Sequence, residues 1–309
     1  MARSEGTDIE RAIPAPGWLA ACPERLRPVV EGCAAGTLPP NVALLRLAIE
    51  AEGPEEVEAA LAGALTKARG GAAERIGAAL ALWRTNPQAF GTVKATLQGV
   101  AHEDAAADPA LWARTFDRLA EVAPEGGVAL YALGNPDLLR ETTEEVVARM
   151  AGWGLLGPKA RVLEIGCGIG RFVAALAPRV AEVTGLDVSA GMVARARERC
   201  GGLGNVRLAV SSGRDLSGVE DGSLDLVLAA DVFPYLVQAG VAVRHVEEAA
   251  RVLAPGGHLL VLNYSYRGDL GRDREEVAAL AARHGLEVRR MGEGDFGLWD
   301  AATFLLGKA

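Results

Sequence analysis

The sequence predicts a doubly wound, mostly parallel α/β sheet preceded by an all-helical region, and three observations carry that prediction. From about residue 160 the chain alternates short apolar runs with stretches able to form helices. A glycine-rich segment follows the first of these runs directly, in "VLEIGCGIGRF". The first third, by contrast, carries helix punctuation and little strand signal.

The runs are "ARVLEI", "EVTGLD", "NVRLAV", "LDLVLAA" and "HLLVLNY". Strands apolar throughout are buried on both faces, as in a parallel sheet covered by helices. The segments "SAGMVARARERC" and "AVRHVEEAARVLA" supply such helices. Alternation of strand and helix implies right-handed crossovers, and ligands then bind beyond the carboxyl ends of the strands where the winding reverses.

Upstream, Asn41 is expected to cap a helix whose Val42, Leu45 and Ile49 share a face and which Gly53 stops. Pro54 opens a second helix with Val57, Leu61 and Leu65 at four-residue spacing, and Ile76, Leu80 and Trp83 mark a third. The polar stretch "GVAHEDAAADPA" divides the chain into residues 1–105, a helical domain for oligomerisation (a homodimer), a lid or substrate capture, and residues 106–309.

Of 309 residues, half are hydrophobic, enough for a sizeable core without disulfides or metal. A net charge of −8 argues against nucleic acid, whose phosphates demand clustered Lys and Arg. Lysine occurs only at positions 67, 94, 159 and 308, an arginine bias that points to GC-rich, bacterial coding. Cys22, Cys33, Cys167 and Cys200 lack metal-ligand spacing. No apolar run approaches the ~20 residues that span a bilayer, and the first residues lack a signal peptide's apolar core. The expectation is a cytoplasmic protein with no membrane partner.

Glycine in a regular element costs about 0.5–1 kcal/mol relative to alanine, so three of them in five positions imply a ligand against bare backbone. Gly166, Gly168 and Gly170 depart from the dinucleotide pattern G-x-G-x-x-G, because Arg171 stands where its third glycine belongs. Seventeen residues past Gly170, Asp187 ends the second apolar run, where a carboxylate can accept from a ribose diol. It can equally serve as an acid at the start of the helix that Ser189 caps. Val188 and Met192 offer an apolar wall for an adenine.

Four segments in order, "VLEIGCGIGRF", "VTGLDVSAGMV", "SGRDLSGVEDGSLDLVLAADVF" and "RVLAPGGHLLVLNY", make residues 125–309 resemble the class I S-adenosylmethionine-dependent methyltransferases. The resemblance implies a seven-stranded Rossmann-like sheet whose last two strands, "LEVRRM" and "ATFLLGK", form an antiparallel edge. It implies S-adenosyl-L-methionine as cofactor and S-adenosyl-L-homocysteine as product. Gly166, Cys167, Gly168 and Gly170 would pass beneath the cofactor, with Asp187 on its ribose. Ser212 and Gly213, or Arg214 and Asp215, would meet the adenine edge, and backbone near Ala229 and Ala230 the ammonium. Glu164 and Asp187 favour a cation. Arg171 is either a partner for the cofactor's carboxylate or a surface residue, and Tyr131 closes over the methionine end.

Acceptor-side candidates follow the fourth and fifth runs: Asp231, Phe233 and Tyr235, then Asn263, Tyr264 and Tyr266. Of these, Asp231, Tyr235, Asn263 and Tyr264 are the catalytic candidates. Asp231 could orient or deprotonate the acceptor, or cap a loop; Tyr235 stands where many relatives carry His. The pair Asp231 and Asn263 faintly resembles the magnesium ligands of catechol-type relatives, but their adjacent second-strand ligands are missing and no metal is expected. Leu138, Leu139, Val146, Val147 and Met150 form a buried stripe, Arg140 faces solvent, and His102, His245, His258 and His284 are structural or exposed. The expected function is methyl transfer to O, N, S or C of a small organic molecule, in specialised metabolism. The alternatives are a protein-substrate methyltransferase and a non-catalytic cofactor-binding protein.

Overall fold

The computed structural model describes residues 22–99 and 108–309; the boundary near residue 105 and His102 lie outside them. Five helices come first: α1 (Arg27–Ala35), α2 (Pro40–Glu50), α3 (Pro54–Lys67), α4 (Gly70–Thr85) and α5 (Ala89–Gly99). They share a core containing Leu26, Leu44, Leu47, Leu61, Ile76 and Trp83. Pro54 opens α3 as expected, with Val57 and Leu61 buried.

Two expectations for α2 fail. Asn41 sits inside the helix, which Pro39 precedes, and its buried amide donates instead to Tyr131 O (3.0 Å) and Leu298 O (2.8 Å). Gly53 begins α3, because α2 has already ended at Glu50. The Val42–Leu45–Ile49 stripe also divides: Val42 is core, whereas Leu45 and Ile49 line a cavity described below.

Next come α6 (Pro109–Val122), α7 (Pro124–Val128) and α8 (Pro136–Gly152). Asn135 caps α8 by accepting from the amides of Asp137 and Leu138. The stripe Leu138, Leu139, Val146, Val147 and Met150 is buried, and Arg140 is exposed. From there strands and helices alternate: β1 (Arg161–Ile165), α9 (Arg171–Leu176), β2 (Glu182–Asp187), α10 (Ala190–Arg199), β3 (Val206–Val210), β4 (Leu224–Ala230), α11 (Phe233–Gln238), α12 (Ala242–Val252), β5 (Leu253–Leu262), α13 (Leu270–Arg283), β6 (Leu286–Gly292) and β7 (Thr303–Lys308).

The sheet has seven strands in the order β3-β2-β1-β4-β5-β7-β6. The first five are parallel; β7 inserts antiparallel between β5 and β6, so one reversed strand makes the mixed edge. Successive side chains of a strand point to opposite faces, which here feeds two cores. Val162, Leu226, Leu228 and Leu260 join the core beneath α6, α8 and α10. Leu163, Val227, Ala229 and Leu259 join the one beneath α11, α12 and α13. The edge strand β3 departs from full burial, being half-buried to exposed along its length.

The chain leaves β1 in one direction for β2 and β3 and later returns to β1's other side as β4, so the winding reverses between β1 and β4. Ile165 is level with both Leu186 and Ala229, which brings the tips of β1, β2 and β4 together. Among the described residues no helix is long and apolar enough to cross a membrane.

Asn41→Ala leaves two interior carbonyls without donors. We expect a loss of about 2 kcal/mol of stability, read by urea denaturation. An unchanged midpoint would contradict this role.

Candidate active site

Beyond the tips of the strands lies a cavity of about 470 Å³, walled on one side by the sheet and on the other by α2, α5, α6 and α7. Its floor is the turn after β1. Gly166, Gly168 and Gly170 all have left-handed φ (68°, 50° and 73°), a region that costs other L-residues steric strain. A Cβ on Gly166 would lie 2.6 Å from Val232, and one on Gly168 2.4 Å from Val128. Gly170 does not line the cavity; its missing Cβ lets α9 approach Ala196 and Cys200 of the α10 region.

The turn is pinned to β2. Cys167 N donates to Leu186 O (2.9 Å), and Gly168 N to Asp187 Oδ2 (2.8 Å). The other oxygen of Asp187 accepts from Ser189 N (2.9 Å), so this carboxylate both secures the turn and opens α10. Burial raises its pKa against these amide bonds, which lower it. Ser189 caps α10 by accepting from Met192 N, and its hydroxyl donates to Asp117 of α6 (2.6 Å). That tie carries α6 across the cavity, with Trp112 and Phe116 on its lining face.

Glu164 is 2 % exposed, and its Oε2 has no hydrogen-bond partner among the described residues. Burial is the main cause that lifts its pKa to about 8, with Asp187 adding to the rise and Arg171 opposing it. Arg171 is buried, which removes the surface reading. Its guanidinium donates to Tyr131 Oη (2.8 Å), lies 4.1 Å from the Phe172 ring centroid, and has no carboxylate within 4 Å among the described residues. Tyr131 stacks on Trp299 (4.9 Å), and burial pushes its phenol up to about 12.

At the tips of β4 and β5, Asp231 and Asn263 are both left-handed without being glycine (φ 56° and 63°). Strain of this kind persists only where the surroundings hold it. Asn263 Nδ2 donates to Asp231 Oδ1 (2.7 Å), its Oδ1 accepts from Ala302 N (2.9 Å), and its own amide donates to Ala302 O. Tyr266 donates to the same oxygen of Asp231 (3.1 Å). Enclosure raises the Asp231 carboxyl to about 6, against the lowering effect of the Asn263 hydrogen bond and the Arg171 charge. Tyr235 stands beside it, edge-on to Trp112 (4.8 Å), Phe116 (5.3 Å) and Tyr266 (6.0 Å).

The cavity thus brings together Tyr131, Glu164, Gly166, Cys167, Gly168, Asp187, Val188, Met192, Gly213, Ala230, Asp231, Tyr235 and Asn263. Others stay outside it. Ser212 and Arg214 are exposed, and Arg214 pairs with Asp108; Ser211 and Asp215 line the wall in their place. Tyr264 packs in the core between Phe233 and Phe304, because the left-handed backbone at Asn263 interrupts the strand's alternation. Phe233 is likewise core. His245 lines the wall, with Nδ1 3.0 Å from Val241 O. Trp112 and Phe116 were legible only as a helical i, i+4 pair, and Trp299 and Asp300 carry no motif at all.

A glycine turn at the β1 tip, an acid at the β2 tip and a reversal of winding thus lie together at the cavity. Residues 162–257 match the family model described as a methyltransferase domain. Nodulation protein S of Rhizobium tropici is 36% identical over 104 residues, 34% of this chain and 43% of that one. The demethylmenaquinone methyltransferase of Clavibacter sepedonicus is 32% identical over 136 residues, 44% of this chain and 51% of that one. The chain thus spans about half the length of the curated relatives it matches. A solved structure of Haemonchus contortus phosphoethanolamine N-methyltransferase 1, with phosphoethanolamine and S-adenosylhomocysteine, shares the fold (TM-score 0.50, 16% identity, 67% of this chain and 50% of that one). Residues 162–257 are thus similar to a methyltransferase domain, and the fold around them is shared with a solved methyltransferase.

The raised pKa of Glu164 has a consequence for stability. Between its unfolded value near 4.5 and about 8 the folded state holds a proton that the unfolded state has released. The associated stability is present below pH 4.5 and is lost as pH rises through 8. Glu164→Gln cannot ionise, so its stability relative to the parent should rise steadily from pH 5 to pH 8 in thermal melts. A constant difference would place the Glu164 carboxyl in an ordinary environment.

Proposed function

We propose that the chain transfers a methyl group from S-adenosyl-L-methionine to a compact organic acceptor and releases S-adenosyl-L-homocysteine. The observation that carries this reading is the bare turn Gly166–Gly170, pinned to Asp187 along one wall of the cavity. The residues around it fit the cofactor. A sulfonium and an ammonium suit a wall carrying the carboxylate of Asp187 and the carboxyl of Glu164, which a neighbouring cation would help to ionise. The cofactor's one carboxylate suits Arg171, a buried cation without a salt-bridge partner among the described residues.

On this reading Asp187 accepts from the ribose hydroxyls, and Val188, Met192 and Gly213 flank the adenine. Tyr131 holds the guanidinium of Arg171 in place, and backbone at Ala230 accepts from the ammonium. When bound, the cofactor supplies a methyl carbon whose bond to sulfur breaks, its electron pair staying on sulfur, as an acceptor lone pair forms the new bond. The chain's own work is to orient the acceptor and exclude water. Asp231, held by Asn263, stands ready to take a proton, with Tyr235 beside it.

The enclosure supports a small acceptor rather than a protein segment. Ligand pockets run about 300–1,000 Å³, so a cavity of about 470 Å³ that admits the cofactor leaves room for a compact partner. The helical region supplies Leu45, Ile49, Thr96 and Leu97 to the wall, which supports a role in acceptor capture.

Asp187→Ala should weaken S-adenosylhomocysteine binding by about 2–4 kcal/mol, through lost charge-assisted hydrogen bonds and a loosened turn. Titration calorimetry is the measurement. Unchanged affinity would remove Asp187 from the site.

A further inference from the structure

Five carboxyl side chains line the cavity: Glu164, Asp187, Asp215, Asp231 and Asp300. Asp187, Asp215 and Asp300 are bonded or paired within the protein, whereas Glu164 Oε2 has no partner among the described residues. Glu164 holds its proton to about pH 8, and Asp187 accepts two backbone amides. Asp215 accepts from Ser217 N, and Asp300 pairs with Arg46 (2.6 Å). Asp231 differs. Both of its side-chain partners, Asn263 and Tyr266, are neutral and both use Oδ1; Oδ2 accepts nothing among the described residues.

Aromatic rings line the cavity that Asp231 faces. Trp112, Phe116, Tyr235 and Tyr266 form a run of edge-to-face rings lining the cavity, and Tyr266 keeps 55% of its surface bare. A carboxylate in such a place gains little from water and nothing from the rings' negative faces. A cation gains from both, since ring faces attract it electrostatically and the carboxylate completes the pair. Arg171 compensates part of the charge of Asp231 without bonding to it; a neutral hydroxyl would add nothing to that, and an anionic acceptor would be repelled.

We propose that the methyl acceptor is a compact amine, bound as its ammonium by Asp231 Oδ2 and the rings of Trp112, Phe116, Tyr235 and Tyr266. The inference rests on the methyl-transfer reading and names the atom that receives the methyl. Bound as an ammonium the nitrogen has no lone pair to offer. One N–H proton passes to Asp231 Oδ2 and from there to solvent, and the freed pair attacks. Asn263, which shares a bond with Asp231 and is anchored on both sides to Ala302, is a positioning residue for that carboxylate.

The test uses the full chain loaded with S-adenosylhomocysteine and two probes of one shape: choline, and its neutral carbon isostere 3,3-dimethylbutan-1-ol. Calorimetry should show choline binding at least tenfold more tightly than the isostere. Asp231→Asn keeps an acceptor for Asn263 and suits left-handed backbone, so it should fold; in it the preference should vanish while S-adenosylhomocysteine affinity stays within twofold. Tyr235→Leu should weaken choline more than the isostere. Equal binding of the two probes by the parent would overturn the proposal. So would a tenfold loss of S-adenosylhomocysteine affinity in Asp231→Asn, because the carboxylate would then serve the cofactor's own ammonium. If the parent fails to bind S-adenosylhomocysteine at all, the methyl-transfer reading itself falls.

Discussion

The geometry of the whole site depends on one tightly held turn, Gly166 to Gly170, whose three glycines are left-handed. The amide of Gly168 goes to the carboxylate at the end of β2, and that of Cys167 to the carbonyl just before it. The turn therefore cannot drift from the strand beside it. Its lack of side chains also decides how near its neighbours come: Val232 after β4 and Val128 of α7 both rest where a Cβ would have been. Glycine's entropic cost is offset by this close approach.

Around that turn the protein sets four carboxyl groups of similar intrinsic acidity into four electrostatic situations. Desolvation dominates at Glu164, backbone amides restrain Asp187, and a guanidinium neutralises Asp300. Asp231 falls between, enclosed enough to be raised to about 6 yet supported by an amide and a phenol. Environment rather than residue type distributes these roles.

The strands and their tips were legible because parallel sheets write themselves as apolar runs, and the topology then places each tip residue without further information. Glu164, Asp187, Ala230 and Asp231 follow from that logic. What failed did so where the chain leaves a repeating geometry. Tyr264 would share a face with Leu262 if β5 simply continued, but the left-handed Asn263 turns it into the opposite core. Ser212 and Ser211 differ by one residue of register at the end of an edge strand, and no periodicity distinguishes them. Asn41 has the composition of a cap, yet its partners lie 90 and 257 residues away. Long-range hydrogen bonding leaves no local trace. The same holds for Trp299 and Asp300, delivered by the loop between β6 and β7.

That loop is fastened from two directions. Glu145 of α8 accepts from the amides of Gly297 and Leu298, while α2 reaches it through Asn41 on the Leu298 carbonyl and Arg46 on Asp300. Asn41 also holds the carbonyl of Tyr131, so one helix braces both aromatic residues of the stacked pair Tyr131–Trp299. A brace with three anchor points resists gradual yielding. To swing α2 away from the strand tips, an ion pair and two interior hydrogen bonds must give way together.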